Sequence, residues 1–267
     1  MKNALKKIKM KKIIILTLSV LLFSCSSNES QDNSNSGPVL LRKRITTSSQ
    51  GIVTTNLNYN GNKIVNATSS NGTEDKFTYT GDLITKYEIY ESNVLVHTEL
   101  YSYNSQNNLT SGIELNPGNN QGTKTILTYN SNGTITYNMY SGNLISQTSL
   151  WGTFTATLSN GEITSFKDEI LNTTYTCTYD GKNNFMKNIL GNEKVRMHLG
   201  SGTYRNLFGV FQNLIQQQTT TQSGSQYINR TIQYTYNSED LPLTNVMKSF
   251  SSTGALLTTF NTTYFYE

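Results

Sequence analysis

Two histidines, His97 and His198, and one thiol in a strand-like segment, Cys177, are the side chains best suited to metal or nucleophilic chemistry. Their spacing serves neither. A zinc site draws on three or four His, Cys or carboxylate ligands, and the two histidines lie far apart with no ligand-like spacing around them. No metal and no cofactor is therefore expected. Cys177 sits in Tyr175-Thr176-Cys177-Thr178-Tyr179, where the two-residue period of a strand puts Tyr175, Cys177 and Tyr179 on one face. A thiol in a sheet core is the expectation. Acidic neighbours occur at Glu74-Asp75, Asp168-Glu169 and Glu239-Asp240. Glycoside hydrolysis needs two carboxylates held about 5 to 10 Å apart, and adjacent strand residues point to opposite faces, so no pair serves alone. Asp180-Gly181-Lys182-Asn183-Asn184 offers too few carboxylates for calcium, and Gly200-Ser201-Gly202 lacks the lysine of a phosphate loop. No catalytic residue is expected. Aromatics remain: Trp151 and Tyr140 are the candidate ligand-binding residues, because exposed aromatic rings stack on sugars or bind proteins. For Trp151, a core or corner position is the stronger expectation.

The elements that must position these residues repeat. A strand ending in Tyr, a short turn with Asn and Gly, and a strand opening on an aliphatic residue recur at Leu57–Ile64, Phe77–Ile84 and Leu127–Ile135. Tyr101-Ser102-Tyr103-Asn104, Leu158–Ile163, Tyr179-Asp180-Gly181 and Tyr234–Asn237 repeat parts of the unit. Asn-Gly and Asp-Gly steps supply the positive φ angles of tight hairpin turns. Regular short strands with turn signals predict an all-β, consecutive antiparallel meander of about 14 to 16 strands, and a sheet of that size curls or closes into a barrel. The alternation stops between 183 and 218, which predicts a short, partly helical insert that plugs an end or open side of the sheet.

Ahead of this domain, Lys2, Lys6, Lys7, Lys9, Lys11 and Lys12 precede an apolar run from Ile13 to Phe23. A basic stretch followed by about 11 apolar residues describes a secretory signal rather than a spanning helix, which needs roughly 20. Leu22-Phe23-Ser24-Cys25 resembles the bacterial lipobox. That resemblance implies cleavage before Cys25, a diacylglyceryl thioether on its sulfur and an acylated amine, hence a lipid anchor. Ser26 in place of an Asp favours the outer membrane, on its periplasmic or cell-surface face. The expected organisation is a signal peptide over 1–24, a lipidated Cys and flexible tether over 25–38 and one repetitive β domain over 39–267.

Six of the 21 basic residues fall in the signal, leaving 15 against 17 acidic ones. The remaining chain is thus slightly acidic, and Arg42-Lys43-Arg44 is its one basic run. Nucleic acid is not an expected partner. The expected partners are the membrane, through the lipid anchor, and a glycan or an envelope protein. With Cys25 acylated, Cys177 has no partner within the chain, so stability rests on packing and strand pairing.

The Tyr-Asn/Asp-x-x-Gly hairpins resemble degenerate YD or RHS-type repeats. Together with the lipobox, the insert Tyr179–Phe185 and a Tyr-rich final strand, they are similar to uncharacterised bacterial lipoproteins that carry a porin-like domain of unknown function. The resemblance covers roughly residues 40 to 267 and implies no activity. The strands alternate Thr, Asn, Ser and Lys with single aromatics. They lack the lipid-facing apolar row of a membrane pore. A non-enzymatic structural or binding module is expected, with a polysaccharide-acting hydrolase or glycan-binding protein as the alternative.

Overall fold

The computed structural model describes residues 37–198 and 210–267. Cys25, the signal and nearly all of the tether lie outside them, as do residues 199–209. Sixteen strands follow one another: β1 (Leu41–Ser48), β2 (Gly51–Asn60), β3 (Lys63–Ser69), β4 (Thr73–Thr80), β5 (Leu83–Glu91), β6 (Val94–Tyr103), β7 (Leu109–Asn116), β8 (Gln121–Tyr129), β9 (Ile135–Gly142), β10 (Gln147–Ser159), β11 (Glu162–Asp168), β12 (Thr173–Asn183), β13 (Gln212–Thr220), β14 (Gln226–Tyr236), β15 (Pro242–Phe250) and β16 (Leu256–Tyr266). Each pairs antiparallel with its chain neighbours, and β1 pairs with β16 to close the barrel. The expected meander is therefore a closed one. Leu40 and Glu267 seal the seam by exchanging backbone hydrogen bonds of 2.8 and 3.0 Å.

Consecutive hairpins alternate between two rims. The proximal rim carries both Leu40 and Glu267; the distal rim lies opposite. Turn chemistry follows the sequence. At the proximal Asn160-Gly161 step both residues take positive φ, 51° and 80°, as a two-residue hairpin turn requires.

The recurring tyrosine has a structural explanation. The register shifts at Asn58/Tyr59, Thr78/Tyr79, Ser102/Tyr103, Thr178/Tyr179 and Thr235/Tyr236. Each is a bulge next to a proximal turn, and bulges re-aim side chains. The hydroxyls then reach the preceding strand: Tyr59 donates to the Leu41 carbonyl at 2.8 Å, Tyr103 to Ile84 at 2.5 Å and Tyr179 to Ile163 at 2.8 Å. Tyr266, next to the register shift between Leu41 and Lys43, donates to Pro242 at 2.8 Å. Tyr79 accepts the Ile64 N–H at 3.2 Å and donates to the Leu190 carbonyl at 3.1 Å. The repeat thus stitches successive hairpins together along one rim.

Sixteen strands enclose more space than wall side chains fill. The insert after β12 occupies part of it. Its described portion, 184–198, contains one helical turn, α1 (Asn192–Val195). Phe185 and Ile189 are buried with Leu40, Leu41, Leu57, Ile64, Ala67 and Tyr264. The plug expectation therefore holds for this portion, but the expected span of 183–218 needs correcting. Gln212 to Gln218 belong to β13. Their alternation is hidden in the sequence because the inward positions Gln217 and Thr219 are polar, while Asn213 and Leu214 are both buried.

Outward positions on β2, β4, β12, β13, β14 and β16 are chiefly polar. Asn56, Asn58, Thr78, Thr176, Thr178, Gln233, Thr235, Asn261 and Thr263 are all exposed. A membrane barrel carries an apolar outer band. Among the described residues no helix is long and apolar enough to cross a membrane.

Burial pushes the Tyr79 hydroxyl up to about 12, and raises Tyr59, Tyr103 and Tyr179 as well. The neutral phenol is the form that the fold holds. Its stabilisation is complete below pH 10, where unfolded tyrosine keeps its proton, and is lost as pH rises through the folded values. Denaturant melts should show stability falling from about pH 10 upward, with the ultraviolet tyrosinate band appearing together with unfolding. Tyr79→Phe, which strands the Ile64 N–H, should cost about 1–3 kcal/mol in the same melts at neutral pH.

Candidate functional site

Toward the distal rim the lumen is not filled. A cavity of about 360 Å³ is lined by Arg44, Thr46, Val53, Thr55, Ser69, Asn71, Thr73, Asp75, Phe185, Asn245, Met247, Phe260, Thr262 and Tyr264. These come from β1 to β4, β15 and β16, the strands flanking the seam, together with the insert and the β3–β4 turn. The floor is aromatic: Phe185 of the insert stacks on Tyr264 with ring centres 5.1 Å apart. The walls are polar. Thr46 and Thr262 are hydrogen-bonded at 3.2 Å, Thr55 and Ser69 at 2.9 Å, and Tyr87 donates to Asp75 at 2.9 Å. Buried Asn245 donates from Nδ2 to the Tyr264 hydroxyl at 2.7 Å, and its Oδ1 has no protein partner. Asp75 is the only carboxylate among the described lining residues.

Farther around the barrel a second polar group is buried. Glu99 of β6 and Glu114 of β7 are direct cross-strand partners, with relative exposures of 2% and 4%. His198 of the insert, 4% exposed, places Nε2 3.2 Å from Glu114 Oε1. His97 Nε2 lies 3.0 Å from Glu99 Oε1, and the Tyr101 hydroxyl donates to Glu99 Oε2. The histidines expected to be unrelated thus belong to one cluster, because the insert folds back into the lumen against β6 and β7. Glycine makes the space: a Cβ on Gly112 would lie 2.4 Å from His198 Nδ1 and Cε1. Nothing in the spacing of the sequence signals this convergence. His97, Glu99 and Tyr101 lie on β6, Glu114 on β7 and His198 in the insert.

The insert is also held where it rejoins the wall. Glu162, 2% exposed at the start of β11, accepts the backbone N–H groups of Val210, Phe211 and Gln212 at 2.7, 2.5 and 2.7 Å. Arg196 of the insert is pulled down to about 10 by burial, against the opposing field of Glu162.

The other sequence candidates separate. Trp151 is 44% exposed, so of the expected core or corner position the core reading does not hold. It is the extra residue of a bulge, since Leu150 faces Tyr140 and Gly152 faces Met139, and its ring meets Phe154 edge-on at 6.3 Å. Tyr140 is half-buried on the neighbouring β9, and neither residue lines the cavity. Trp151 instead belongs to an apolar distal rim with Ile52, Val94, Ile145, Ile170, Leu171, Leu256 and Leu257, all exposed. Cys177 is buried beside Leu214 and Ile232, and burial pushes its thiol up to about 11, as suits a core thiol. Of the acidic pairs, Asp75 faces the cavity while Glu74 bonds Asn66. Asp168 caps the N–H groups of Ile170 and Leu171, both at 2.9 Å. Of the basic run, Arg44 lines the cavity, whereas Arg42 and Lys43 lie over the Tyr59 and Phe265 rings.

No family model and no curated protein matches the chain. Among solved structures it is similar to a porin-like protein from Bacteroides vulgatus ATCC 8482, at 12% identity over 85% of this chain and 99% of that one, with a TM-score of 0.49. It is also similar to a porin-like protein from Bacteroides uniformis ATCC 8492, at 13% identity over 81% and 78% of the two chains, with a TM-score of 0.35. Likeness of this depth supports no statement about activity, and the barrel is defined by its own strand pairing.

Gly112→Ala should drive the His198 ring from its notch. The expected loss is about 1–3 kcal/mol, as for other overpacked interiors, measured by denaturant unfolding. Glu162→Gln keeps the side-chain shape but removes the charge from three N–H bonds. It should speed amide exchange at Val210 to Gln212 before it affects exchange in the β1–β16 seam.

Proposed function

We propose that this protein is a non-enzymatic lipoprotein, anchored through Cys25 to the bacterial outer membrane, whose barrel binds a short glycan in the distal half of its lumen. The observation that carries the reading is the cavity itself, with an aromatic floor, hydroxyl and amide walls and one guanidinium. Small-molecule sites commonly occupy about 300–1,000 Å³ and combine apolar surface with a few placed polar groups. Sugars present hydroxyls in rings whose faces are apolar, and this lining matches both features. Polar residues on much of the outer wall favour a barrel held in water by its anchor over one inserted in lipid. Among the described lining residues Asp75 is the one carboxylate, where a hydrolase uses two.

Calorimetric titration of the full chain with oligosaccharide fragments of the bacterial envelope tests this. Saturable binding at one site per chain is expected. Arg44→Ala should weaken it about tenfold or more, the scale of a charge-assisted hydrogen bond. Thr55→Trp, which fills the cavity, should abolish it, and Trp151→Ala should leave it unchanged. Loss of binding in Trp151→Ala alone would move the site to the distal rim, and turnover of the glycan would make the protein an enzyme.

A further inference from the structure

The two rims of the barrel differ in chemistry. Ile52, Val94, Ile145, Leu171 and Leu256 stand exposed at five different distal hairpins, with Ile170 and Leu257 beside the last two. The proximal turns, from Asn60–Asn62 to Asn237–Asp240, contain no aliphatic residue outside the insert. Two distal tips hold their aliphatics outward from a fixed backbone. Asn143 Oδ1 accepts the Ile145 and Ser146 N–H groups at 2.8 and 2.9 Å, and Ile145 is 94% exposed. Asp168 fixes Ile170 and Leu171 in the same way. Apolar side chains held in water at one end of a molecule mark a contact surface.

Charge identifies the contact. Just below the tips, Lys124, Tyr140 and Leu150 are successive cross-strand partners on β8, β9 and β10. They share one face, and Trp151 adjoins them in its bulge. Lys248 holds a comparable place on β15, shortly before Phe250 ends that strand. Among the described residues Lys124 and Lys248 are in no ion pair. The distal turns themselves carry Glu91, the buried cap Asp168, and Glu169, which Lys167 neutralises at 2.8 Å.

We propose that the distal rim docks on an anionic lipid surface, with its aliphatic tips in the membrane and its wall in water. A protein partner takes up a contiguous patch. These residues occupy separate tips around the barrel, and a planar, deformable surface meets all of them at once. Interfacial elements bury their apolar side about 5–10 Å deep at the boundary of headgroups and acyl chains. Strands in such barrels rise about 3.3 Å per residue and tilt, so a residue two places from a strand end lies about 5 Å below it. Tips at that depth bring Lys124 and Lys248 to the anionic headgroups and Trp151 and Tyr140 to the interface that such rings favour. The contact is separate from the Cys25 anchor and holds whatever the cavity binds.

Trp151 is the only tryptophan of the chain, so its emission reads the rim and not the N-terminal segment. The full chain is mixed with vesicles of phosphatidylethanolamine and phosphatidylglycerol. A blue shift of the emission and its quenching by brominated acyl chains are expected. Ile145→Ser combined with Leu171→Ser should lower the ratio of docked to undocked rim, read from the quenched fraction, about tenfold or more. Both positions are exposed, so the barrel keeps its fold. Lys124→Ala should lower the ratio about fivefold on these vesicles. The proposal is overturned if Trp151 keeps its vesicle-free emission, if the double variant is quenched like the parent, or if neutral phosphatidylcholine vesicles quench as strongly as anionic ones. A blue shift that needs no vesicles and grows with chain concentration would also overturn it, and would make the rim an interface between copies of this chain.

Discussion

Closure of the sheet between β1 and β16 is the constraint on which the rest depends. It removes the exposed edges that a long meander would otherwise present for aggregation. It also creates an interior too wide for wall side chains to fill. Everything unusual about this chain answers that second consequence. Residues 184–198 enter from the proximal side and bury Phe185 and Ile189 against the seam strands. Tyrosines next to bulges tie neighbouring strands together with hydroxyls that reach backbone carbonyls. Where neither reaches, toward the distal rim, a polar cavity remains.

The insert is the structural pivot, and polar contacts hold it alongside apolar ones. Glu162 takes three successive N–H groups where the chain returns to the wall. The Asn188 amide reaches the Val39 carbonyl at 2.8 Å, and the Leu190 N–H reaches the Asn62 carbonyl at 3.0 Å. Each satisfies a backbone group that would otherwise be stranded. His198, farther along, rests on Gly112 and faces Glu114. One short segment therefore forms the cavity floor through Phe185 and completes the buried Glu–His cluster through His198.

The tyrosines show how a compositional signal can mislead about function while being right about architecture. A chain so rich in tyrosine suggests stacking surfaces for sugars. Most of the repeat tyrosines are instead committed to the proximal rim, where a bulge turns each ring inward and the hydroxyl finds a carbonyl. The aromatic surface that remains for a ligand is Phe185, Phe260 and Tyr264 in the cavity. Phe260 and Tyr264 lie in β16 and Phe185 in the insert, outside the tyrosine-and-turn hairpins. Trp151, the most conspicuous aromatic in the sequence, sits in a bulge on the outside of β10.

The sequence by itself determined what depends on near neighbours. Turn steps such as Asn160-Gly161 need positive φ, and the two-residue alternation assigns Tyr175, Cys177 and Tyr179 to one face. Those local rules yield the meander and the strand number, because each hairpin is specified within about 20 residues. Closure, the start of β13 at Gln212, and both polar sites required the tertiary structure. Closure joins the two ends of the domain. The β13 boundary is hidden because Gln217 and Thr219 face a polar lumen, which erases the apolar alternation that marks a strand. The Glu99, Glu114 and His198 cluster exists only because the insert folds back against β6 and β7. Periodicity and spacing record which face a residue takes, and they hold no information about which distant element will meet that face.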